Sequence, residues 1–299
     1  MNVSFIVPCR DKAPFVEDCV RSVLMQTYAP FEIVLSDQGS TDGTLAILEQ
    51  LAAEYNGPNE VRVLRCPDTE LRGMAGLNRH YAWLHQRISG DIVIACSADD
   101  TVYPDRVTHT VEAFREFNPS YVGTGLQYER PDGSVIGETD FPKRASRRIG
   151  MAEAIEHDIG SSASGAWSRD LWERHGPLQG IESQDVVLPM MAMVERGYYY
   201  VDEVLHRYVA HADPANTGME GQMRAASGSP EMLRLVEVNN FHHAYNWLAL
   251  WRRMKPFLAA LAEADRKALL DRVMDRCRGW SDARERLTLL RATPLAMRI

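Results

Sequence analysis

The chain has 299 residues, 45% of them apolar and 25% charged, which is typical of a water-soluble protein with one large α/β domain or two smaller ones. Its formal net charge of −8 argues against broad binding to nucleic-acid backbones, so nucleic acid is not an expected partner. The cysteines form no Cys-x-x-Cys pair, and no apolar run approaches the roughly 20 residues that span a bilayer. We therefore expect a cytoplasmic protein without an integral membrane segment.

The first part of the chain alternates between short apolar runs and amphipathic stretches. The apolar runs predict buried strands over residues 3–7, 31–35, 61–64 and 92–96. The amphipathic stretches predict helices over residues 14–26, 45–55, 73–86 and 106–117. Because strands that alternate with helices form parallel, right-handed units, this part of the chain predicts a Rossmann-like sheet.

Beyond Pro119 the regular alternation stops. The patterns there predict a hairpin, a strand and two helices, over residues 121–138, 161–168, 169–175 and 185–196. From about residue 230 the pattern is helical and carries an apolar stripe formed by Trp247, Leu248, Leu250 and Trp251. We interpret this stripe as a docking face rather than a ligand site, because apolar residues at helical spacing usually face a core.

Two carboxylates, Asp99 and Asp100, directly follow the predicted strand 92–96. Open α/β sheets bind ligands at the carboxyl ends of their strands, and carboxylates are hard oxygen ligands that suit Mg²⁺ or Mn²⁺. One interpretation is a divalent ion that bridges to a phosphate. The other is that these carboxylates cap the next helix, with Pro104 in its first turn. The residues alone leave both interpretations open.

The loop after the second predicted strand is rich in small and acidic residues, and Arg10 and Asp11 end the first strand beside it. Asp37 in this loop can accept a hydrogen bond, for example from a ring N–H group, and so recognise a base or a ribose. Asp42 or Thr44 can cap the following helix, and the two roles are compatible. The chain has neither a Gly-x-Gly-x-x-Gly nor a P-loop pattern, so dinucleotide-binding and P-loop folds have no motif support.

Several motifs occur together in a characteristic order: Val-Ser-Phe-Ile-Val-Pro at 3–8, Gln-Thr-Tyr at 26–28, Ser-Asp-Gln-Gly-Ser-Thr-Asp-Gly-Thr at 36–44, Ala-Asp-Asp at 98–100, Pro-Asp-Arg at 104–106, Ser-Gly-Ala-Trp-Ser-Arg at 164–169 and Glu-Ser-Gln-Asp at 182–185. In order and spacing they resemble the family 2 glycosyltransferases of GT-A fold, over about residues 1–211. The resemblance implies an α/β fold with a Rossmann-like mixed sheet flanked by helices. It also implies an enzyme that transfers a sugar from a nucleotide-diphosphate donor to an acceptor hydroxyl with inversion, assisted by Mn²⁺ or Mg²⁺.

From the resemblance we expect a GT-A domain over residues 1–225, with a nucleotide-sugar-binding half at 1–117 and an acceptor-binding half at 118–225. A helical extension over 226–299 would follow and could form a homodimer contact. The expected donor is a UDP-sugar. The expected acceptor is a glycan, a small molecule or a natural product.

The resemblance also assigns site residues by position. Asp37 would recognise the nucleobase, and Arg72 would reach the base or the diphosphate. The full nucleotide-sugar-binding set is Pro8, Arg10, Asp37, Arg72 and Asp99. The metal would be bound by Asp99, Asp100 and His211.

Asp185 would be the general base, because inverting transfer needs a base aimed at one acceptor hydroxyl. An alternative role for Asp185 is the N-cap of the helix predicted to follow it. Three positions depart from the family pattern: Ser97 stands where many relatives have an acid, Arg10 stands where many have an aromatic residue, and Gln184 replaces the usual Glu before the base.

Three other functions fit parts of the pattern. A nucleotidyltransferase shares the strand–helix alternation but usually carries a glycine-rich loop after the first strand, where this chain has Cys9-Arg10-Asp11-Lys12. A non-catalytic GT-A-like binding or scaffold protein would explain Ser97, although Asp99, Asp100 and Asp185 are kept. A glycosyltransferase acting on modified nucleic-acid bases would differ only in its acceptor, and the acidic charge disfavours it.

Overall fold

The structure is a computed structural model that describes residues 1–130, 132–138, 146–156, 164–180, 182–209 and 244–277. Its strands are β1 (Val3–Cys9), β2 (Glu32–Asp37), β3 (Glu60–Arg65), β4 (Ile92–Ala95), β5 (Thr101–Val102), β6 (Tyr121–Glu129), β7 (Val135–Glu138), β8 (Arg147–Ile149), β9 (Ala166–Ser168) and β10 (Tyr198–Val209). Its helices up to this last strand are α1 (Val16–Leu24), α2 (Thr44–Glu54), α3 (Gly73–His85), α4 (Arg106–Phe117), α5 (Met151–Glu156), α6 (Arg169–His175) and α7 (Gln184–Met193).

The strands in the described residues form one mixed sheet with the order β3-β2-β1-β4-β9-β6-β10-β5, while β7 pairs with β6 and β8 with β10. The first four strands of this order are parallel, which confirms the predicted Rossmann-like half. β9 runs antiparallel to both β4 and β6 and makes the sheet mixed. The fold class expected from the sequence is therefore the one observed.

Both faces of the sheet are covered, and successive residues of β1 show this directly. Phe5 and Val7 belong to the core formed with α1, α2 and α4, whereas Ile6 belongs to the core formed with α3, α6 and α7. All three side chains are fully buried. Since side chains alternate across a strand, a strand buried on both faces is apolar along most of its length, and the one polar exception in β1, Ser4, is hydrogen-bonded to Glu32. This is why its run of apolar residues predicted the strand correctly.

The second half was predicted less completely. The hairpin of β6 and β7 is confirmed as an antiparallel pair, and α6 has the predicted bounds. The strand expected over 161–168 is observed as Ala166–Ser168 within the described residues. The sequence did not predict β10, a strand of 12 residues that runs parallel to β6 and antiparallel to β5.

Two helical stretches from the C-terminal part are described: residues 244–254 and the helix Glu263–Cys277. Trp247 and Leu250 from the predicted apolar stripe are buried in the same core as α3 and α7, which confirms the docking face. In the part of the chain that the structure describes, no helix is both long and apolar enough to cross a membrane. The expected domain boundary at residue 225 lies outside the described residues and stays a prediction.

Candidate active site

The carboxyl ends of β1, β2 and β4 meet at one edge of the sheet, because these neighbouring strands are parallel. Cys9 ends β1 and pairs in register with Asp37, which ends β2. Asp99 follows β4 at the same edge. Burial raises the pKa of the Cys9 thiol well above its ordinary value, and the nearby Asp37 and Asp99 carboxylates raise it further. The fold thus brings two predicted site residues to either side of one thiol.

Asp37 has two oxygens with different surroundings. The residue is only 3% exposed. Its Oδ2 accepts hydrogen bonds from the backbone N–H groups of Gly39 (2.9 Å) and Ser40 (3.1 Å). Its Oδ1 is buried, and no described residue donates a hydrogen bond to it. A buried acceptor without a donor costs about 1–3 kcal/mol, so a ligand N–H group at this oxygen would be stabilising.

Arg10 ties the end of β1 to the loop before α3. Its guanidinium donates hydrogen bonds to the carbonyl oxygens of Thr69 and Leu71, both at 2.6 Å. Gly39 lies against the same loop with a φ of +73°, and a Cβ there would come within 2.5 Å of Thr69 Cγ2. The structure therefore places Arg10 as a brace of this loop, next to the predicted base-recognition residue.

Arg72, the other predicted cation, pairs with Asp11 at 2.9 Å, and its side chain is 61% exposed. Pro8 lies inside β1, opposite Ser36 of β2, and is buried. Ser36 is in turn hydrogen-bonded to His80 of α3 at 2.7 Å. Pro8 therefore lies buried beneath the site, whereas Arg72 lies at the exposed surface beside it.

The helix-capping alternatives are resolved by the element bounds. Asp42 accepts hydrogen bonds from the backbone N–H of Thr44 (3.0 Å) and from its hydroxyl (2.6 Å), but the cap position of α2 is Gly43, so neither Asp42 nor Thr44 is the N-cap. α4 begins only at Arg106, and the residue before it is Asp105. Asp99 and Asp100 therefore lie outside the helix start and do not cap it.

Asp100 is 1% exposed, and both of its oxygens accept hydrogen bonds from the protein. Oδ1 accepts from the backbone N–H of Val209 (2.9 Å), and Oδ2 lies 3.1 Å from His206 Nε2. His206 Nδ1 lies 2.7 Å from the Arg106 guanidinium. Because arginine can only donate, Nδ1 must accept, so we infer that Nε2 carries the proton and donates it to Asp100. Burial raises the pKa of Asp100 well above its ordinary value, and Asp99 adds to this.

Asp99 has a different partner. Its Oδ2 lies 2.5 Å from the ammonium of Lys12, and the two side chains are 16% and 18% exposed. Ser97, which stands where the resemblance leads us to expect an acid, is exposed. His211, the third predicted metal ligand, lies outside the described residues. Among the residues that the structure describes, no group of three or more His, Cys, Asp or Glu side chains could hold a metal ion.

Asp185 lies in the first turn of α7, whose cap position is Ser183, so the capping alternative for Asp185 is wrong. The Ser183 hydroxyl donates to its Oδ2 at 3.2 Å. Burial raises the pKa of the Tyr208 phenol to about 12, with further contributions from Asp100, Asp99 and Asp185 among others. Asp100, Asp99 and Asp185 therefore all lie close enough to Tyr208 to act on it electrostatically.

Four residues of this site were missed at the sequence level: Lys12, Arg106, His206 and Tyr208. Lys12 could have been suspected, since it directly follows Arg10 and Asp11 at the end of a predicted strand. Arg106 lies in the Pro-Asp-Arg motif, but its pairing with His206 carries no local signal, because the two residues are 100 positions apart in the chain. Tyr208 lies on β10, the strand that was not predicted.

Comparison with known proteins identifies the family. Residues 4–174 match the family described as Glycosyl transferase family 2, and the chain belongs to it. A curated relative is the putative teichuronic acid biosynthesis glycosyltransferase TuaG of Bacillus subtilis, 26% identical over 211 residues that cover 69% of this chain and 78% of TuaG. The chain spans only 15% of the length of a chondroitin synthase from Pasteurella multocida, to which it is 26% identical over 157 residues.

Solved structures support the GT-A fold. TarS of S. aureus in complex with UDP-GlcNAc superposes with a TM-score of 0.59 at 14% identity, covering 93% of this chain and 81% of that one. The mannosyltransferase PcManGT from Pyrobaculum calidifontis, in complex with GDP-Man and Mn²⁺, has a TM-score of 0.52 at 21% identity, covering 94% and 83%. These likenesses establish a GT-A arrangement of sheet and helices.

Proposed function

We propose that this protein transfers a sugar from a nucleotide-diphosphate donor, a UDP-sugar by preference, to an acceptor hydroxyl with inversion. Family membership supports the reaction class. The UDP-GlcNAc bound to TarS supports the donor class. The observation that carries the proposal is that Asp37 and Asp99 lie at the carboxyl ends of the two parallel strands beside β1, with a buried Asp37 oxygen to which no described residue donates a hydrogen bond.

In the proposed reaction, the Asp185 carboxylate removes the proton from the acceptor hydroxyl. The acceptor oxygen attacks the anomeric carbon from the face opposite the nucleotide, and the bond from that carbon to the diphosphate oxygen breaks. The departing diphosphate gains negative charge, which fixed cations at the site can stabilise. Asp37 would hold the nucleobase through its buried Oδ1, which has no donor among the described residues.

A divalent ion at Asp99, Asp100 and His211 stays a prediction. Mn²⁺ is present in the PcManGT complex, which supports metal use in a protein of the same fold. In this chain, however, Asp100 already accepts two hydrogen bonds and Asp99 is paired with Lys12. The described residues do not offer the ion a free set of ligands, so the proposed reaction contains no step at a metal.

Several finer expectations also stay predictions. They are the glycan, small-molecule or natural-product acceptor, the cytoplasmic location, the homodimer through the C-terminal helices, and the division of the chain at residue 225. A non-catalytic scaffold remains the alternative function, since Ser97 stands where many relatives have an acid.

A nucleotide panel tests the proposal. We expect UDP to raise the thermal midpoint of the wild type more than GDP, dTDP or CDP do, because a ligand that binds the native state stabilises it. Asp185→Asn should keep this shift, since the base faces the acceptor, but should lower donor turnover by about 10²-fold or more. No shift with any nucleotide diphosphate, with or without Mn²⁺, would favour the scaffold. Equal turnover in Asp185→Asn would remove Asp185 as the base.

A further inference from the structure

The loop that carries Lys12 is held in place by hydrogen bonds to the β2–α2 loop. The backbone N–H of Lys12 donates to the Thr44 hydroxyl at 2.8 Å, and that of Asp11 donates to the Ser40 hydroxyl at 2.9 Å. Asp11 adopts a φ of +50°, a conformation uncommon outside glycine, which turns the chain sharply at this point. Lys12 is therefore a positioned cation at the end of β1, and its position does not depend on a long flexible loop.

Residues 97–100 follow β4 and contact Lys12 through Asp99. Of their side chains, the Asp99 carboxylate is the one that can face a ligand. Ser97 carries no charge, and Asp100 is buried with both oxygens accepting hydrogen bonds from His206 and Val209. Asp99 remains, and its Oδ2 is in contact with the Lys12 ammonium. The Lys12 ammonium therefore already places next to Asp99 the positive charge that a divalent ion would otherwise supply.

We propose that Lys12, held by Asp99, is the cation that binds the diphosphate of the donor, so that nucleotide binding does not require a divalent ion. This inference rests on the function proposed above. An ammonium has three donor hydrogens, so one bond to Asp99 leaves two for phosphate oxygens. Lysine binds phosphate as a point charge, and such charge-assisted hydrogen bonds are stronger than neutral ones.

The other cations at this edge are less suited to the same role. The Arg10 guanidinium already donates hydrogen bonds to the carbonyl oxygens of Thr69 and Leu71. Arg72 is 61% exposed and pairs with Asp11 at the surface beside the site. Only Lys12, among these three, touches the carboxylate that follows β4, where the donor's diphosphate would lie.

The test is calorimetric titration of UDP into the full chain, in EDTA and again in Mn²⁺. We expect the wild type to bind UDP with affinities within about threefold of each other in the two conditions. Lys12→Met keeps an unbranched side chain of nearly the same length but removes its charge, and it should weaken binding in EDTA by about tenfold or more. Lys12→Arg should recover most of that loss. Lys267→Met, at an exposed lysine paired with Asp271 on the C-terminal helix, is the matched control and should bind as the wild type does.

Two results would overturn the inference while leaving the proposed function intact: UDP binding by the wild type only in Mn²⁺, or equal binding in EDTA by the wild type and Lys12→Met. Asp99→Asn is a second test of whether Lys12 or a metal-binding carboxylate holds the diphosphate, because Lys12 stays charged in this variant. It should lose less affinity in EDTA than Lys12→Met does. A wild type that binds no nucleotide diphosphate in either condition would overturn both proposals together. Circular dichroism of each variant establishes that it is folded.

Discussion

The Asp100 network shows how three buried polar groups can fix one carboxylate. Arg106 donates to His206 Nδ1, which leaves His206 Nε2 as the donor to Asp100 Oδ2, while Val209 donates to Oδ1. Both carboxylate oxygens must therefore act as acceptors. An amide in place of the carboxylate has one acceptor and one donor, so it cannot satisfy both neighbours in either orientation.

Asp100→Asn should accordingly destabilise the fold by about 2 kcal/mol or more, because one buried donor is left unpaired and faces the N–H of the amide. His206→Gln should cost less, because its amide can donate to Asp100 and accept from Arg106. Urea denaturation of the two variants measures this. Equal losses would mean that shape, rather than the order of donors and acceptors, sets the stability of this network.

A second residue-scale prediction concerns pH. Burial lowers the pKa of His80 from 6.5 to about 4, and the neighbouring Arg10 adds to this. Between these values the unfolded chain binds a proton that the folded chain does not, so stability falls as the pH falls through this window. At about 1.4 kcal/mol per unit, His80 should remove about 2 kcal/mol between pH 7 and pH 5.

His80→Gln should therefore lose about 2 kcal/mol less than the wild type over the same pH change. Urea denaturation at the two pH values gives the difference, and comparing the two proteins cancels the contribution of all other titrating groups. The pKa of His85, also buried, is about 3 and its group remains in both proteins. Identical pH dependence in the two proteins would show that His80 is protonated in the folded state.

At the scale of elements, the sequence predicted those strands whose burial leaves a local pattern. β1, β2 and β4 are buried on both faces and read as short apolar runs, and α1 and α4 show helical spacing. β10 leaves no such pattern, because its buried tyrosines and His206 alternate irregularly with Asp202, Glu203 and Arg207. Its bulged pairing with β6 is set by contacts some 80 positions away, which no local window contains.

The same distinction applies to the site. Asp37, Asp99 and Asp185 are expected in the site because each ends or follows a strand or opens a helix within a motif, and their roles stay predictions. The Lys12–Asp99 pair joins residues 87 positions apart, and the Asp100–His206 pair joins residues 106 apart. Such pairings depend on the order of strands in the sheet. The types of residue at the site could therefore be predicted from the sequence, but their hydrogen-bond partners could not.

The helix Glu263–Cys277 carries one buried and one exposed leucine side by side. This pair can test whether the helix unfolds together with the core. Leu269 is fully buried in the core that contains Trp247 and Leu250, whereas its neighbour Leu270 is 43% exposed. Leu269→Ala should cost about 2–5 kcal/mol in global unfolding free energy, and Leu270→Ala about 1 kcal/mol or less. Urea denaturation, with the m-value as a check, measures both. An unchanged global midpoint in Leu269→Ala would mean that this helix unfolds independently of the sheet.

At the scale of the whole molecule, charge is distributed unevenly. The net charge is −8, and at the edge formed by β1, β2 and β4 three cations lie among carboxylates: Lys12 pairs with Asp99 and Arg72 with Asp11, while Arg10 binds backbone carbonyl oxygens. Because carboxylates balance these cations, the edge can bind a small anion such as a nucleotide diphosphate through individual charge-assisted hydrogen bonds rather than through a broad positive field. It does not suit the long phosphate backbone of DNA, which needs a broad positive surface.

We therefore expect UDP binding without DNA binding, which separates the proposed function from transfer to nucleic-acid bases. UDP affinity should fall as salt rises, because exposed cations such as Arg72 are screened. Gel shift with duplex DNA, in about 0.1 M salt and with protein up to about 10 μM, should show no complex, since sequence-independent binding needs many phosphate contacts. A repeat at about 0.02 M salt, where any electrostatic attraction is strongest, is the control. A shifted band that forms at the lower salt concentration and persists at the higher one would indicate that this protein binds nucleic acid, and would favour a nucleic-acid acceptor.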